Sequence, residues 1–219
     1  MTGVKVCGIT NMGDAQRAAD LGAWAIGLIF HEASPRACPL PDAEEIGRRF
    51  KRTGPQVTGV FVNRPLDEVV AIADACSLAM LQLHGDEGPA YCDEAARRTG
   101  CRIMKAVQVR DQSSLTALRT YHVDYHLLDA HHAELRGGTG QTFDWELIGG
   151  HRGVPVVLSG GLTPDNVGEG IAATRPFAVD SASGTEASPG EKDPAKLEAF
   201  FRAVAQADER ANSATAGWA

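Results

Sequence analysis

VKVCGITNMGD, residues 4–14, is a valine-rich apolar run that stops at a glycine and passes at once into the polar start of a helix. An open, doubly wound α/β sheet normally carries G-x-G-x-x-G in this first turn. The turn here, CGITNMGD, lacks that pattern. A strand–turn–helix opening without it leaves a closed barrel as the alternative, provided the unit repeats.

It does repeat. Seven further runs of the same kind follow: WAIGLIF from Trp24, VTGVFVN from Val57, MLQLH from Met80, RIMKAVQV from Arg102, YHLLDA from Tyr125, PVVLSGG from Pro155 and FAVDSASG from Phe177. Their starts lie 20 to 33 residues apart, the length of one strand plus one helix. Between them lie stretches such as PLDEVVAIADAC (65–76) and DEGPAYCDEAARR (86–98), with early acidic residues and apolar residues at helical intervals. Alternating strand and helix signals imply parallel pairing with right-handed crossovers. Eight such units predict an α/β fold, a parallel eight-stranded (β/α)8 TIM barrel with outer helices. One domain is expected over residues 1–207, with a final helix from Asp193 to about Ala207 and residues 208–219 as a mobile, small and polar tail.

Composition sets the class. The 219 residues suffice for one sizeable core, and 43% apolar with 22% charged residues is ordinary for a soluble protein. With 28 Asp and Glu against 21 Lys and Arg, the formal charge of -7 repels nucleic acid and anionic membrane surfaces. Cys7, Cys38, Cys76, Cys92 and Cys101 are odd in number and form no C-x-x-C pair, which argues against a disulfide framework or a zinc site. The first apolar run starts at Val4, which leaves no room for a leader, and no run approaches the roughly 18 residues of a membrane span. A soluble, cytoplasmic protein is expected.

In such a barrel the chemistry sits at the C-terminal ends of the strands. That filter selects Cys7 after the first run, Ser34-Pro35-Arg36 after the second, His84 after the fourth and Asp129 after the sixth. It also selects Gly137, Gly138, Thr139 and Gly140, then Ser159, Gly160 and Gly161, then Ser183 and Gly184. Any one glycine is accounted for by a tight turn. Two glycine-bearing turns after the last two strands, however, aim free N–H groups at a common point, the usual place for a phosphate. Strand alternation turns Lys5 and Cys7 inward, with Tyr125, Leu127 and Asp129, and turns Val4, Val6 and His126 outward. A thiol and a carboxyl on one cleft are a general base and acid pair if their pKa values are tuned. By position alone a strand cysteine is more often a small buried hydrophobe and a strand-end Asp more often a helix cap or loop hydrogen-bonder. Arg36, on a rigid turn, is placed to take a substrate carboxylate through its planar fork. His122, His126, His131 and His132 form no helical H-x-x-x-H pair, so no metal is expected.

VKVCGIT, GLIFHEASPRACP, VTGVFVN, LQLHGDE, LLDA with GGTGQTFDW, LSGGLTPDNV and VDSASGTEASPGEKD together resemble, in order and spacing, the motif series of the phosphoribosylanthranilate isomerases. The resemblance runs from Val4 to about Phe200. It implies a (β/α)8 enzyme of tryptophan biosynthesis that converts N-(5'-phosphoribosyl)anthranilate to 1-(2-carboxyphenylamino)-1-deoxyribulose 5-phosphate by an Amadori rearrangement. Carried over by motif, Cys7 is the general base, Asp129 the general acid and Arg36 the holder of the anthranilate carboxylate. His84, Gly160, Gly161, Asp180, Ser183 and Gly184 are the other candidate substrate contacts. VDSASG stands where V-D-V-S-S-G is usual, which bears on Ser181 and Ser183.

The implied partner is a phosphorylated small molecule, with no cofactor, no nucleic acid and no membrane, and the protein is expected as a monomer or homodimer. The chemistry needs Asp129 protonated and Cys7 ionised, the reverse of their ordinary states. Lys5 and the N–H groups of the first turn are the candidates for favouring the thiolate. The alternatives are a related aminoaldose isomerase of histidine biosynthesis, a dual-substrate isomerase, or a non-catalytic sugar-phosphate-binding barrel. The first of these usually employs paired aspartates, where strand one here offers Cys7.

Overall fold

The computed structural model describes residues 1–109, 111–129 and 153–216. Eight strands close into a parallel barrel in chain order: β1 Gly3–Cys7, β2 Ala25–Ile29, β3 Gln56–Phe61, β4 Met80–Leu83, β5 Arg102–Gln108, β6 Tyr125–Asp129, β7 Val156–Ser159 and β8 Ala178–Ser181. Each begins within one residue of the start expected from the sequence. Closure is made by β1 against β8, with Gly3 opposite Ala178 and Lys5 opposite Asp180. The helices among the described residues are α1 Met12–Asp20, α2 Leu40–Phe50, α3 Leu66–Ala75, α4 Pro89–Thr99, α5 Gln112–Ala117, α6 Val167–Thr174 and α7 Pro194–Ala216.

Alternation along the strands sorts the side chains into two cores. Val4, Val6, Leu128, Leu158 and Val179 pack outward against the helices. Ala25, Met80, Met104, Ala106, Tyr125, Leu127, Val157 and Ala178 fill the barrel. The N-terminal end is floored by aromatic rings, Trp24 lying edge-on to Tyr125 and to Phe177 with centroids 5.1 Å apart in each pair. The polar interior residues lie above this floor, so the open mouth is at the C-terminal ends of the strands, as the barrel's polarity requires.

Two features depart from the sequence pattern. Helix α7 continues beyond Ala207 to Ala216, because no proline or glycine interrupts it between Pro194 and Gly217. Asp208 accepts hydrogen bonds from the backbone N–H and the hydroxyl of Thr2, at 2.6 and 2.7 Å, tying this part of the helix to the chain start. After β8 the chain adds a short antiparallel hairpin, β9 Glu186–Ser188 with β10 Glu191–Lys192. Among the described residues no helix is long and apolar enough to cross a membrane.

Candidate active site

Cys7 is the last residue of β1. Gly8, at φ 75°, turns the chain out of the barrel, and Asn11 caps α1 by accepting from the Asp14 N–H at 2.9 Å. Across the wall, Gly27 on β2 leaves the thiol its space: a Cβ there would lie 2.8 Å from Cys7 Sγ and 3.1 Å from Lys5 Nζ. Lys5, fully buried one layer below, donates to Asp180 at 2.8 Å, and the Ser159 hydroxyl approaches the second Asp180 oxygen at 3.3 Å.

Burial pushes the Cys7 thiol above its ordinary value; Lys5 and Lys192 pull the other way and Asp180 adds to the rise. Lys5 thus acts in the expected direction, but desolvation outweighs it, and the thiol of the free protein is held protonated. Two of the first-turn N–H groups are not available for the role expected of them. Those of Gly8 and Ile9 both donate to the Gly27 carbonyl at 3.0 Å. For Lys5 itself burial favours the neutral amine, yet Asp180 and Cys7 outweigh it and hold its pKa up.

Asp129 closes β6 with its carboxylate partly open to the mouth, and one oxygen lies 3.8 Å from His84 Nε2. His84 follows β4, with Nδ1 3.0 Å from the side-chain amide nitrogen of Gln82. With the Gln82 amide assigned in this orientation its nitrogen donates, Nδ1 accepts and the proton of the neutral ring is assigned to Nε2, facing Asp129. Burial lowers the His84 pKa against the pull of Asp129 and Asp180, which keeps the ring neutral. The loop carrying His84 is fixed from outside the barrel. Glu87 accepts from the N–H groups of Asn63 and Gly85 at 2.7 and 2.8 Å and from buried Lys105 at 3.1 Å.

Arg36 sits on the expected turn, where its N–H donates to the Ser34 hydroxyl at 3.2 Å. Its side chain is already paired. Nε and Nη2 clasp Glu186 at 2.7 to 3.0 Å, and Nη1 takes no part in this fork. Burial alone would raise the Glu186 pKa, but Arg36 and Lys192 outweigh it and hold the carboxylate below its ordinary range. Lys192 Nζ reaches Glu186 at 3.2 Å and the carbonyls of Cys7 and Ala182 at 2.7 and 3.0 Å. The sequence reading did not single out Glu186, Lys192 or Gln82. For Gln82 a signal existed, since the inward parity of Met80 continues through Gln82 to His84. For the other two the only signal was charge within TEASPGEKD, indistinguishable from a solvated loop.

The turns after β7 and β8 meet. Gly160 and Gly161 have φ of 104° and 65°, conformations that suit only glycine. Ser181 donates to the Leu162 carbonyl at 2.8 Å, and a Cβ on Gly184 would strike that same carbonyl. A 3₁₀ turn, Ser183–Thr185, follows β8, and a cleft of about 510 Å³ opens between Thr163, Ser183, Gly184 and Lys196. A larger groove of about 990 Å³ between α6 and α7 carries none of the candidate residues. His131, His132 and the glycine cluster from Gly137 to Gly140 lie outside the described residues.

One mouth thus collects Cys7, Asp129, His84, Asp180 and Arg36, with the β7 and β8 turns at its edge. The chain as a whole is similar to known proteins. Residues 4–203 match the family model described as N-(5'phosphoribosyl)anthranilate (PRA) isomerase. The N-(5'-phosphoribosyl)anthranilate isomerase of Citrifermentans bemidjiense is 48% identical over 198 residues, 90% of this chain and 94% of that one. That of Pelobacter propionicus is 45% identical over 203 residues, 92% and 95% of the two chains. The crystal structure of phosphoribosyl anthranilate isomerase from Thermotoga maritima superposes with a TM-score of 0.85 at 38% identity, covering 94% of this chain and all, 100%, of the other. A second isomerase structure, in complex with reduced 1-(o-carboxyphenylamino)-1-deoxyribulose 5-phosphate, gives 0.82 at 36% identity, with 94% and 100% covered. By full-length sequence match and by superposition of the whole barrel, the chain belongs to the N-(5'-phosphoribosyl)anthranilate isomerase family.

Proposed function

We propose that the protein converts N-(5'-phosphoribosyl)anthranilate to 1-(2-carboxyphenylamino)-1-deoxyribulose 5-phosphate in tryptophan biosynthesis, with Cys7 as general base and Asp129 as general acid. The observation that carries the residue roles is the placement of one inward thiol and one inward carboxyl at the ends of β1 and β6, on a mouth floored by Lys5 and Asp180. Asp129 gives its proton to the furanose ring oxygen, and the C1'–O bond breaks to leave a protonated Schiff base between C1' and the anthranilate nitrogen. Cys7 then takes the C2' proton, and that electron pair moves through C1' to the nitrogen, giving the enolamine. Ketonisation releases the O2' proton and places one on C1'. Protons lost and gained are equal, and C1' is reduced as C2' is oxidised within one molecule.

The ionisation states follow from this balance. Turnover leaves Asp129 as carboxylate and Cys7 as thiol, the pairing that burial of the thiol favours. Restoring the active form moves one proton from thiol to carboxyl without changing the net charge of the site.

Recognition divides between the two anionic ends of the substrate. The Nη1 edge of Arg36, which Glu186 leaves open, suits the anthranilate carboxylate. Gly160, Gly161, Ser183 and Gly184, where two glycine turns and a 3₁₀ start converge, suit the phosphate. His84 and Asp180 face the sugar between them. The five cysteines are all free, which fits a cytoplasmic biosynthetic enzyme.

The test is fluorescence decay of phosphoribosylanthranilate in the presence of the parent protein and of Cys7→Ala and Asp129→Asn. The parent is expected to turn over and each variant to fall by about 10²–10⁴-fold. A parent without turnover removes the activity. Variants of parental activity remove the residue roles alone.

A further inference from the structure

Two buried lysines in this barrel are bonded alike. Lys105 donates to the carbonyls of Leu83 and Gly85 at 3.2 and 2.6 Å and to Glu87 at 3.1 Å. Lys192 donates to the carbonyls of Cys7 and Ala182 at 2.7 and 3.0 Å and to Glu186 at 3.2 Å. A neutral amine has only two N–H donors, so three acceptors around each nitrogen mark an ammonium. The Lys105 assembly sits under the loop of His84. The Lys192 assembly sits on the backbone of Cys7 itself.

The charges around Cys7 come from two strands, the turn after β2, the hairpin and α1. Lys5 lies on β1 and Asp180 on β8, joined in one 2.8 Å pair in which Asp180 partly offsets the pull of Lys5 on the thiol. Arg36 comes from the turn after β2, while Lys192 on β10 and Glu186 on β9 face it from the hairpin. Asp14, from α1, accepts the Lys192 backbone N–H at 2.9 Å. Glu186 is one anion between two cations, and Arg36 claims it with three hydrogen bonds against one from Lys192. The trio therefore carries one positive charge in excess, concentrated on the ammonium that touches Cys7.

We propose that Lys192 is a positioning residue for the isomerisation: its ammonium holds the Cys7 main chain and favours the thiolate, while Glu186 moderates that charge and orients Arg36. The proposal rests on Cys7 being the base. It explains why a hairpin with no counterpart in the repeating βα pattern is inserted after β8. Its chain path carries one cation across the barrel mouth to the end of β1 and one carboxylate to the turn after β2.

The test is the pH profile of kcat/KM, whose descending limb reports ionisation of the Cys7 thiol in the free enzyme, because the active form is the reverse-protonated one, thiolate with carboxylic acid. Lys192→Met neutralises the trio and is expected to move that limb to higher pH by about one unit. Lys192→Arg keeps it near the parent's. Glu186→Gln unmasks the ammonium and moves the limb to lower pH, while KM rises as Arg36 loses its partner. Opposite displacements follow charge sign, and a loosened fold does not produce them. A Lys192→Met limb coincident with the parent's overturns the proposal. If that variant does not fold, a Glu186→Gln limb that stays in place overturns it. Cys7→Ser separates the two readings: if it keeps the parent's rate and profile, the base assignment fails; if it collapses while Lys192→Met leaves the limb in place, only the role of Lys192 fails.

Discussion

Nδ1 of His84 lies 3.0 Å from the amide nitrogen of Gln82, and that contact fixes which end of the imidazole faces Asp129. Gln82 bears the cost, because its own amide oxygen is buried without a partner among the described residues. Gln82→Leu removes both the donor and the stranded oxygen at similar volume. The ring then exchanges between tautomers, and kcat/KM is expected to fall roughly fivefold, the equivalent of about 1 kcal/mol for one hydrogen bond. The melting temperature should hold or rise. The ¹⁵N shifts of His84 check the cause directly: a tautomer unchanged from the parent's removes the explanation.

Gly27 faces the thiol across the β1–β2 pair, and a methyl group there would press on both Cys7 Sγ and Lys5 Nζ. Gly27→Ala is therefore expected to cost about 1–3 kcal/mol of stability through overpacking. It should also displace the thiol enough to lower kcat by roughly a hundredfold. Denaturant melts and steady-state rates check the two effects separately. Full activity in Gly27→Ala would mean that the thiol has freedom to move without penalty.

Burial pushes the thiol of Cys38 up to about 12 and those of Cys76 and Cys92 up to about 11, from an ordinary 9.0. In the unfolded chain these thiols ionise at their ordinary value. The protonated, folded form is thus fully favoured below pH 9, and its advantage is lost as pH rises through 11 to 12. Thermal melts between about pH 8 and 11 should show a steep alkaline decline in the parent and a shallower one in Cys38→Ala, whatever their starting values. Parallel declines would assign the loss to other groups.

The barrel was readable because each strand is a short β-branched run at a regular interval, and strand parity alone turned Lys5 and Cys7 inward and His126 outward. Parity also carries a residue's direction but not its partner. Lys5 could be placed beneath Cys7, yet its 2.8 Å pairing with Asp180, which partly offsets its influence on the thiol, joins residues 175 positions apart. The hairpin after β8 was harder still. Glu186 and Lys192 stand in a loop rich in charge and glycine, and only closure of β8 onto β1 brings that loop to Cys7 and Arg36 and buries it.

Arg36 offers the last test, because its expected role meets a partner already in place. Glu186 binds the Nε–Nη2 edge, so a substrate carboxylate at Nη1 need not displace it, and a contact that only binds is expected to be equal in ground and transition states. Arg36→Met then raises KM by about 10- to 100-fold, matching about 1.5–3 kcal/mol for a hydrogen bond to a charged group, with kcat nearly unchanged. The variant also strips Glu186 of its stronger partner and leaves Lys192 to neutralise it alone. Lys192 is then drawn from Cys7, and the descending limb of kcat/KM should move with it toward higher pH. A variant that loses kcat while KM holds would place Arg36 at the reacting sugar instead of at the aromatic acid.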